Sequence, residues 1–374
     1  MRLAYINNIW GKHYGHYLME ILKQRYNELT IDIYFCASSE SNRKYQFESS
    51  ASTLYGMYHL KGEISWGIDK HFNWGIFPLI FQNKYDLYFI GGYFYPTVML
   101  AIILCRLLKR RYILVIDHMY KKKGFLNIIK KFLITGANGY ITTSLEAKEN
   151  LIFYGARKNN IYIAPLSCND SFYRTDQDII PDVRFLQKYN LKEKYILFVG
   201  RFEEYKGVTY LLEAFKLLKF KYKHNDIDLV LIGSGALQEN INNFIEINNL
   251  KNDIKVISWL SYTDLPIWYK NALIFVFPSY YDVWAFVINE AMAARLPVIS
   301  TNEVGAVRAL IKNDINGIVI PSKNSEILAH EIDRLLQDIQ LREILAKNAF
   351  ETALKYKLDN IAKIYIQAIQ NIIK

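Results

Sequence analysis

Two segments hold the residue types that chemistry on a phosphate and a polyol requires. The first is Val199–Gly207, VGRFEEYKG, which follows an apolar run and precedes a helical pattern from Val208. A strand-to-helix loop with a glycine near each end lets backbone N–H groups approach a phosphate closely. Arg201 and Lys206 add two cations; a guanidinium can fork onto two phosphate oxygens, and an ammonium acts as a mobile point charge. A solvated loop with ordinary charges is the competing reading. The order G-x-x-x-x-G-K-[ST] is absent, so this is not a Walker A loop.

The second segment is Pro278–Ala294, PSYYDVWAFVINEAMAA, between an apolar run and a helix predicted from about Val287. It places Asp282 on the loop and Glu290 in the first turn of that helix. A carboxylate accepts hydrogen bonds from two adjacent hydroxyls, so the pair suits a ribose at one end and a hexose at the other. The N–H groups of Phe286 and Val287, at the helix start, would face a diphosphate between them. As a bare D-x7-E spacing the signal is weak. It gains weight from following a strand downstream of the Arg201/Lys206 loop.

These loops need strands to hold them, and the apolar pattern supplies two sets. Arg2–Asn7, Ile31–Cys36, Leu87–Gly91, Tyr112–Ile116, Gly139–Thr143 and Ile161–Ala164 read as strands, with helical patterns such as Gly15–Tyr26 and Pro96–Leu108 between them. After a loop-like stretch from Pro165 to Pro181 the rhythm restarts. Strands are predicted at Tyr195–Gly200, Leu229–Gly233, Ile254–Ile257, Ile274–Phe277, Pro297–Thr301 and Gly317–Ile320. Helices are predicted at Val208–Lys219, Leu237–Asn248, Thr263–Asn271, Val287–Ala294 and Ser325–Asp338. Alternating strands and helices of this kind give parallel sheets. The fold expected is α/β, with two facing Rossmann-like domains and a cleft between them, and ligands at the carboxyl ends of the strands. The boundaries expected are 1–166, a linker over 167–194, and 195–355. The last amphipathic run, Arg342–Lys374, could pack on either domain, with its end from about 356 returning to the first.

Composition agrees with a globular chain of that size. At 374 residues, 51% hydrophobic and 22% charged, it is too long for one ordinary core and suits two. Cys36, Cys105 and Cys168 share no metal-binding or redox spacing and read as reduced, partly buried thiols of a cytoplasmic protein. The opening MRLAYINNIW reads as a strand rather than a signal peptide. The most apolar segment, Thr97–Ile116, is cut by Arg106, Lys109, Arg110 and Arg111, which argues against a membrane-spanning helix.

Charge is unevenly placed. Residues 1–166 carry 21 Lys and Arg against 11 Asp and Glu, whereas 167–374 carry 25 of each, so the first half holds the whole excess of +10. Nine of those cations lie between Arg106 and Lys131, against the single acid Asp117. Charge alone leaves a nucleic acid, an anionic membrane surface or a phosphorylated acceptor open. The zero net charge of the second half, where the best motifs lie, argues against nucleic acid. Gly124–Thr135 sets Phe125, Ile128, Ile129, Phe132 and Leu133 at helical spacing beside Lys130 and Lys131. It reads either as a core helix with solvated lysines or as an interfacial helix on an anionic membrane, preceded by Lys121–Lys123.

Taken in order, VGRFEEYKGVTYLLEAF, LIGSGALQENI, PSYYDVWAFVINEAMAARLPVIS and NDINGIVI resemble successive blocks of the retaining GT-B glycosyltransferases of family 4, the glycosyl transferases of group 1, whose hallmark is E-x7-E. The resemblance covers Ile196–Val319 and, more loosely, the first half. It implies that Gly200, Arg201 and Lys206 meet the donor diphosphate, with Ala285, Phe286 and Val287 at the adjoining helix start. It gives Glu290 the ribose hydroxyls, Asp282 the donor-sugar hydroxyls, and Gly233, Gly235, Trp259 and Leu260 the nucleotide side. It likens His118, in IDHMY, to a histidine beside the diphosphate and sugar. A structural histidine, or Asp117 in its place, is the alternative. Gly11, Gly15, Gly92 and Tyr93 are assigned to the acceptor, against a reading as ordinary turn residues. Asp170 resembles a linker acid of the family and reads as a local cap.

The chain also departs from the family pattern. Asp282 stands for the first Glu and is one methylene shorter. Ala285 and Arg295 stand where glycines are usual, Ser258 where a glycine often borders the base, and Ala309 where an acid is common. These changes bear on substrate, not on class.

The expected activity is transfer of a hexose from a UDP- or GDP-sugar to a glycan or lipid-diphosphate-linked acceptor, with retention and by front-face displacement. No D-x-D is read as a metal site, so neither metal nor other cofactor is expected. Expected surroundings are the cytoplasm and, through Arg106–Lys131, the inner face of an anionic membrane. Rival readings are an epimerase or hydrolase of sugar nucleotides on the same fold, which would need a further base, a basic nucleic-acid-binding protein, and an inactive glycan-binding relative.

Overall fold

The computed structural model describes residues 1–9, 14–37, 54–66, 70–117, 126–175, 182–258 and 260–374. Its contacts divide the chain into one unit of Met1–Leu166 with Leu358–Lys374, and a second of Ser167–Lys357.

The first unit begins with β1 (Arg2–Ile9), α1 (Tyr14–Arg25), β2 (Thr30–Ala37) and β3 (Gly56–His59). A hairpin, β4 (Glu63–Ser65) and β5 (His71–Asn73), and the short α2 (Ile76–Phe81) follow. Then come β6 (Leu87–Gly91), α3 (Pro96–Leu107), β7 (Tyr112–Ile116), α4 (Leu126–Thr135), β8 (Gly139–Thr142), α5 (Leu145–Phe153) and β9 (Ile161–Ile163). Seven strands form one parallel sheet in the order β3-β2-β1-β6-β7-β8-β9. Every residue of β6 and β7 is buried, as expected of central parallel strands covered on both faces.

The β4–β5 hairpin was not expected from the sequence. Its inward row is polar: buried Asn73 donates from Nδ2 to the carbonyls of Cys36 (3.0 Å) and Leu60 (2.9 Å), and its Oδ1 accepts from Thr97 (2.9 Å). An apolar-inward alternation rule therefore cannot find these strands.

The second unit runs α6 (Val183–Lys188), β10 (Lys194–Val199), α7 (Val208–Phe220), β11 (Ile227–Ile232), α8 (Gln238–Ile247), β12 (Ile254–Ile257), α9 (Leu265–Asn271) and β13 (Ile274–Phe277). It continues with α10 (Phe286–Ala293), β14 (Val298–Thr301), α11 (Gly305–Leu310), β15 (Ile318–Ile320), α12 (Ser325–Gln337) and α13 (Ile339–Lys355). Its parallel sheet has the order β12-β11-β10-β13-β14-β15. Counted within the unit this is 3-2-1-4-5-6, the doubly wound order of dinucleotide-binding folds. The order reverses between β10 and β13, and in the first sheet between β1 and β6.

One boundary differs from those expected, and the chain's end, from Leu358, is counted with the first unit. The stretch 167–194, read as a linker, is counted with the second unit. Phe172 lies 5.5 Å from the Tyr269 ring and Phe185 lies 4.8 Å from Trp268, so buried aromatics tie it down. The amphipathic run Arg342–Lys374 is not one helix. It breaks after α13, and α14 (Leu358–Ile373) belongs to the first unit, packing on α1, β8 and β9. Asp359 pairs with Arg25 at 2.9 Å, and Tyr365 lies 5.8 Å from Phe89.

The end of α10 explains one departure in the sequence. Arg295 has φ 57°, with its N–H donating to Met292 O (3.1 Å) and the Leu296 N–H donating to Ala291 O (3.0 Å). This is a Schellman turn, whose left-handed residue is usually glycine. An arginine there costs about 1 kcal/mol of backbone strain.

Candidate active site

The switch point of the second sheet brings the two loops together. Gly200 donates to Ile232 O (3.0 Å) and Phe202 to Ser234 O (3.0 Å), which lays the start of the first loop along the end of β11. The chain then makes a short 3₁₀ turn, Glu204–Lys206, and enters α7 through Gly207 at φ 73°. Glycine is required at 207 on two counts: the left-handed φ, and the Pro278 carbonyl that occupies the place of a side chain. The second loop is stitched to the first at Tyr205 O, which accepts from Tyr280 N (2.9 Å) and Ser279 Oγ (2.8 Å). Thr301, at the end of β14, donates to Ser279 O.

Lys206 and Asp282, 76 residues apart, meet here. Lys206 Nζ donates to Asp282 Oδ2, and Asp282 Oδ1 accepts from Trp284 N at 3.1 Å. The two side chains are 11% and 17% exposed, so the pair is well shielded from water, where a charge interaction is stronger than on an open surface. Lys206 also stands over the rings of Tyr205 (5.0 Å) and Phe277 (5.4 Å). Arg201 is exposed, and its guanidinium donates to the Tyr205 hydroxyl and lies 5.7 Å from that ring centre. Tyr205, Ser279 and Trp284 were not singled out from the sequence. Tyr205 lies beside Lys206 in the first loop, whereas no local spacing links Ser279 and Trp284 to the two cations.

Glu290 lies deeper. Because α10 starts at Phe286 rather than Val287, Glu290 sits in the second turn and not the first. It is 3% exposed, and its Oε2 accepts from Tyr269 Oη at 2.7 Å. Tyr262 also donates to it. Burial pushes the Glu290 carboxyl up to about 7, against the pull of these two hydroxyls. Ala285, where a glycine is usual, takes φ 67°, and α10 begins without a side-chain cap. A first turn of that kind suits an anion.

The glycines expected on the nucleotide side have an internal reason to be glycine. Gly233 is at φ 150°, and a side chain there would meet the Gly200 carbonyl. A side chain at Gly235 would lie 2.6 Å from Phe202 O. Both therefore allow the first loop to lie against the end of β11. Gly305, not singled out from the sequence, does the same for the second loop. A side chain there would strike Val283 O, while its N–H donates to Asp282 O (3.0 Å) and the Ala306 N–H to Trp284 O (2.8 Å). Leu260 follows β12 at the same sheet edge, half-buried, whereas Trp259 lies outside the described residues.

In the first unit, His118 and Gly11 also lie outside the described residues, as do Lys121–Lys123, Gly124 and Phe125. Asp117 directly follows β7, with Thr143 Oγ1 donating to its carbonyl. Gly15 is in the first turn of α1. Gly92 follows β6 at φ 85° and donates to Val115 O (2.8 Å), so its backbone alone accounts for a glycine. Tyr93 is 7% exposed and belongs to the hydrophobic core, which places its ring among core side chains. On α4, Ile128, Ile129 and Phe132 are exposed, and Arg106 covers the Phe132 ring at 4.2 Å. Cys36, Cys105 and Cys168 are free and buried. Among the described residues no helix is long and apolar enough to cross a membrane, and no group of His, Cys, Asp and Glu could hold a metal ion.

Comparison with known proteins points the same way. Residues 180–352 match the family described as Glycosyl transferases group 1. The uncharacterized glycosyltransferase MJ1607 of Methanocaldococcus jannaschii is 36% identical over 172 residues, 46% of this chain and 43% of that protein. The Campylobacter jejuni enzyme named N-acetylgalactosamine-N,N'-diacetylbacillosaminyl-diphospho-undecaprenol 4-alpha-N-acetylgalactosaminyltransferase is 26% identical over 252 residues, 66% of this chain and 64% of that enzyme. The strongest of these sequence matches thus spans about half the length of the relative. Among solved structures, Anabaena HepE in complex with UDP aligns with a TM-score of 0.79 at 16% identity, covering 99% of this chain and 100% of that one. That likeness is one of fold, the GT-B fold with its two Rossmann-like units.

Proposed function

We propose that this chain, whose residues 180–352 belong to the glycosyl transferases group 1 family, moves a sugar from a nucleotide-sugar donor to a glycan or lipid-linked acceptor in polysaccharide or glycoconjugate synthesis. The observation that carries this reading is the convergence of the Arg201/Lys206 loop, the Asp282 loop and the start of α10 at one switch point. In this reading the cations and helix amides meet the charge that gathers on a departing diphosphate, and Glu290 offers a buried acceptor for ribose hydroxyls.

The transfer we propose retains configuration. The bond from the anomeric carbon to the diphosphate breaks, the acceptor oxygen bonds on the same face, and the acceptor proton passes to the leaving phosphate oxygen. Arg201, Lys206 and the α10 amides stabilise the leaving charge, Asp282 bears on the donor sugar, and His118, Gly11, Gly15 and Gly92 serve the sugar and acceptor side. No metal or other cofactor enters this scheme. A UDP- or GDP-hexose is the donor proposed. UDP is bound in the similar Anabaena structure, and the Campylobacter relative is named for a diphospho-undecaprenol acceptor.

A thermal-shift panel of UDP, GDP, ADP and their sugar conjugates tests this directly. One nucleotide raises the melting temperature of the wild type and not of Glu290→Ala. No shift with any of them would overturn the donor site.

The exposed apolar residues of α4 beside Arg106 further support contact with an anionic membrane, where a lipid-linked acceptor would reside. The protein then sediments with anionic vesicles, not with neutral ones, and is released by high salt. Failure to sediment, or binding indifferent to salt, would remove the membrane from the scheme.

A further inference from the structure

Glu290 is held by groups that lie outside the Pro278–Ala294 segment. Tyr269 reaches it from α9 and Tyr262 from the loop before that helix, while the Cys168 thiol donates beside it to Asn289 O (3.6 Å) from the segment ahead of the Asp170–Phe172 turn. Burial and the neighbouring carboxylate push the Tyr269 hydroxyl well above its usual range, so it remains protonated and donates to Glu290. The thiol is likewise pushed well above its usual range and stays neutral.

We infer that Tyr269, assisted by Tyr262, is a positioning residue for Glu290: the two hydroxyls keep its carboxylate ionised and oriented, leaving two acceptor positions free for the adjacent hydroxyls of a ribose. An ionised carboxyl group presents about four lone-pair positions, and two tyrosine donors take two of them. A protonated carboxyl group would instead donate at one oxygen and lose the paired acceptor geometry that a diol needs. Burial alone drives Glu290 toward that protonated form, and the tyrosine hydroxyls oppose it. The ring of Tyr269 is fully buried against Phe172 (5.5 Å) and Phe275 (5.5 Å), which fixes the hydroxyl without help from a ligand. The ribose half of this inference rests on the nucleotide-sugar reading above. The holding of Glu290 does not.

The test uses the full chain carrying Tyr269→Phe, with Tyr262→Phe as a second variant should the first fold poorly. The Glu290 carboxyl is titrated without nucleotide by carbon-13 NMR, its signal assigned by loss in Glu290→Gln. Binding of UDP, GDP and ADP is followed from pH 5.5 to 9 in parallel. Removing the hydroxyl moves the Glu290 midpoint up by about one pH unit. The acid limb of nucleotide binding moves with it, so affinity at pH 6 falls about tenfold and recovers toward pH 9. An unchanged midpoint in both variants overturns the inference, because a purely structural tyrosine would alter melting temperature and leave the titration in place. A raised midpoint, with nucleotide binding unaffected by Glu290→Gln, supports the positioning role and removes Glu290 from the ribose site.

Discussion

Lys206→Ala lowers the turnover of the proposed sugar transfer by about 10²–10³-fold while the fold survives, and Arg201→Ala lowers it at least about 50-fold. The reason is the kind of charge each supplies. Lys206 is already fixed before any ligand binds, by Asp282 and by the faces of Tyr205 and Phe277, so it need not be ordered during reaction. A preorganised contact to developing charge typically contributes about 3–4 kcal/mol to the barrier difference. Arg201 is exposed and, among the described residues, tethered through Tyr205, which places its smaller effect in the same direction. Steady-state transfer by the purified variants is the measurement, with the melting temperature as control. Lys206→Ala also strands a shielded carboxylate. Lys206→Ala with Asp282→Asn should therefore recover stability without recovering turnover. Near-normal transfer by either single variant would sink the phosphate assignment.

Glu290→Gln makes the protein more stable at pH 8 and poorer at holding nucleotide. In the unfolded chain this carboxyl titrates near 4.5, and in the folded chain burial pushes it up to about 7. Below pH 4.5 the proton is bound in both states and there is no penalty. As pH rises through 7 the folded state must hold a buried charge that the unfolded state would leave in water. Stability from this group is thus present in acid and lost toward alkaline pH, by about 3 kcal/mol in full. A neutral glutamine of the same shape removes that loss. Its melting temperature should exceed that of the wild type by roughly 5–10 °C at pH 8 and by little at pH 5. Nucleotide affinity falls about 10²-fold or more, since a buried hydrogen-bonding site is left mismatched. A gain in stability that does not depend on pH would show that Glu290 is not the charge responsible. A variant that binds nucleotide normally would take it out of the donor site.

The two effects have opposite signs on stability for one physical reason. Lys206 and Asp282 neutralise each other, so removing one leaves the other uncompensated. Glu290 is met by hydroxyls rather than by a counter-charge, so its ionised form costs the fold something that binding can use. Stability sacrificed at a ligand site is a common mark of function.

Much of this architecture was open to reading from residue order alone. Strands such as Leu87–Gly91, Tyr112–Ile116 and Ile274–Phe277 were predicted at the ends the structure has, because fully buried parallel strands are unbroken apolar runs. The cations of the first loop and the carboxylates of the second were legible too, since each lies in a strand–loop–helix unit whose local pattern places it at a carboxyl sheet edge. What lay beyond reach depends on groups far apart in the chain. No spacing rule joins Lys206 to Asp282, Tyr269 to Glu290, or Gly305 to the carbonyl of Val283; only the 3-2-1-4-5-6 strand order sets them side by side. The β4–β5 hairpin was hidden because its buried row is polar. Periodicity reports which residues avoid water. Which of them meet, and what charge they then carry, is decided by packing.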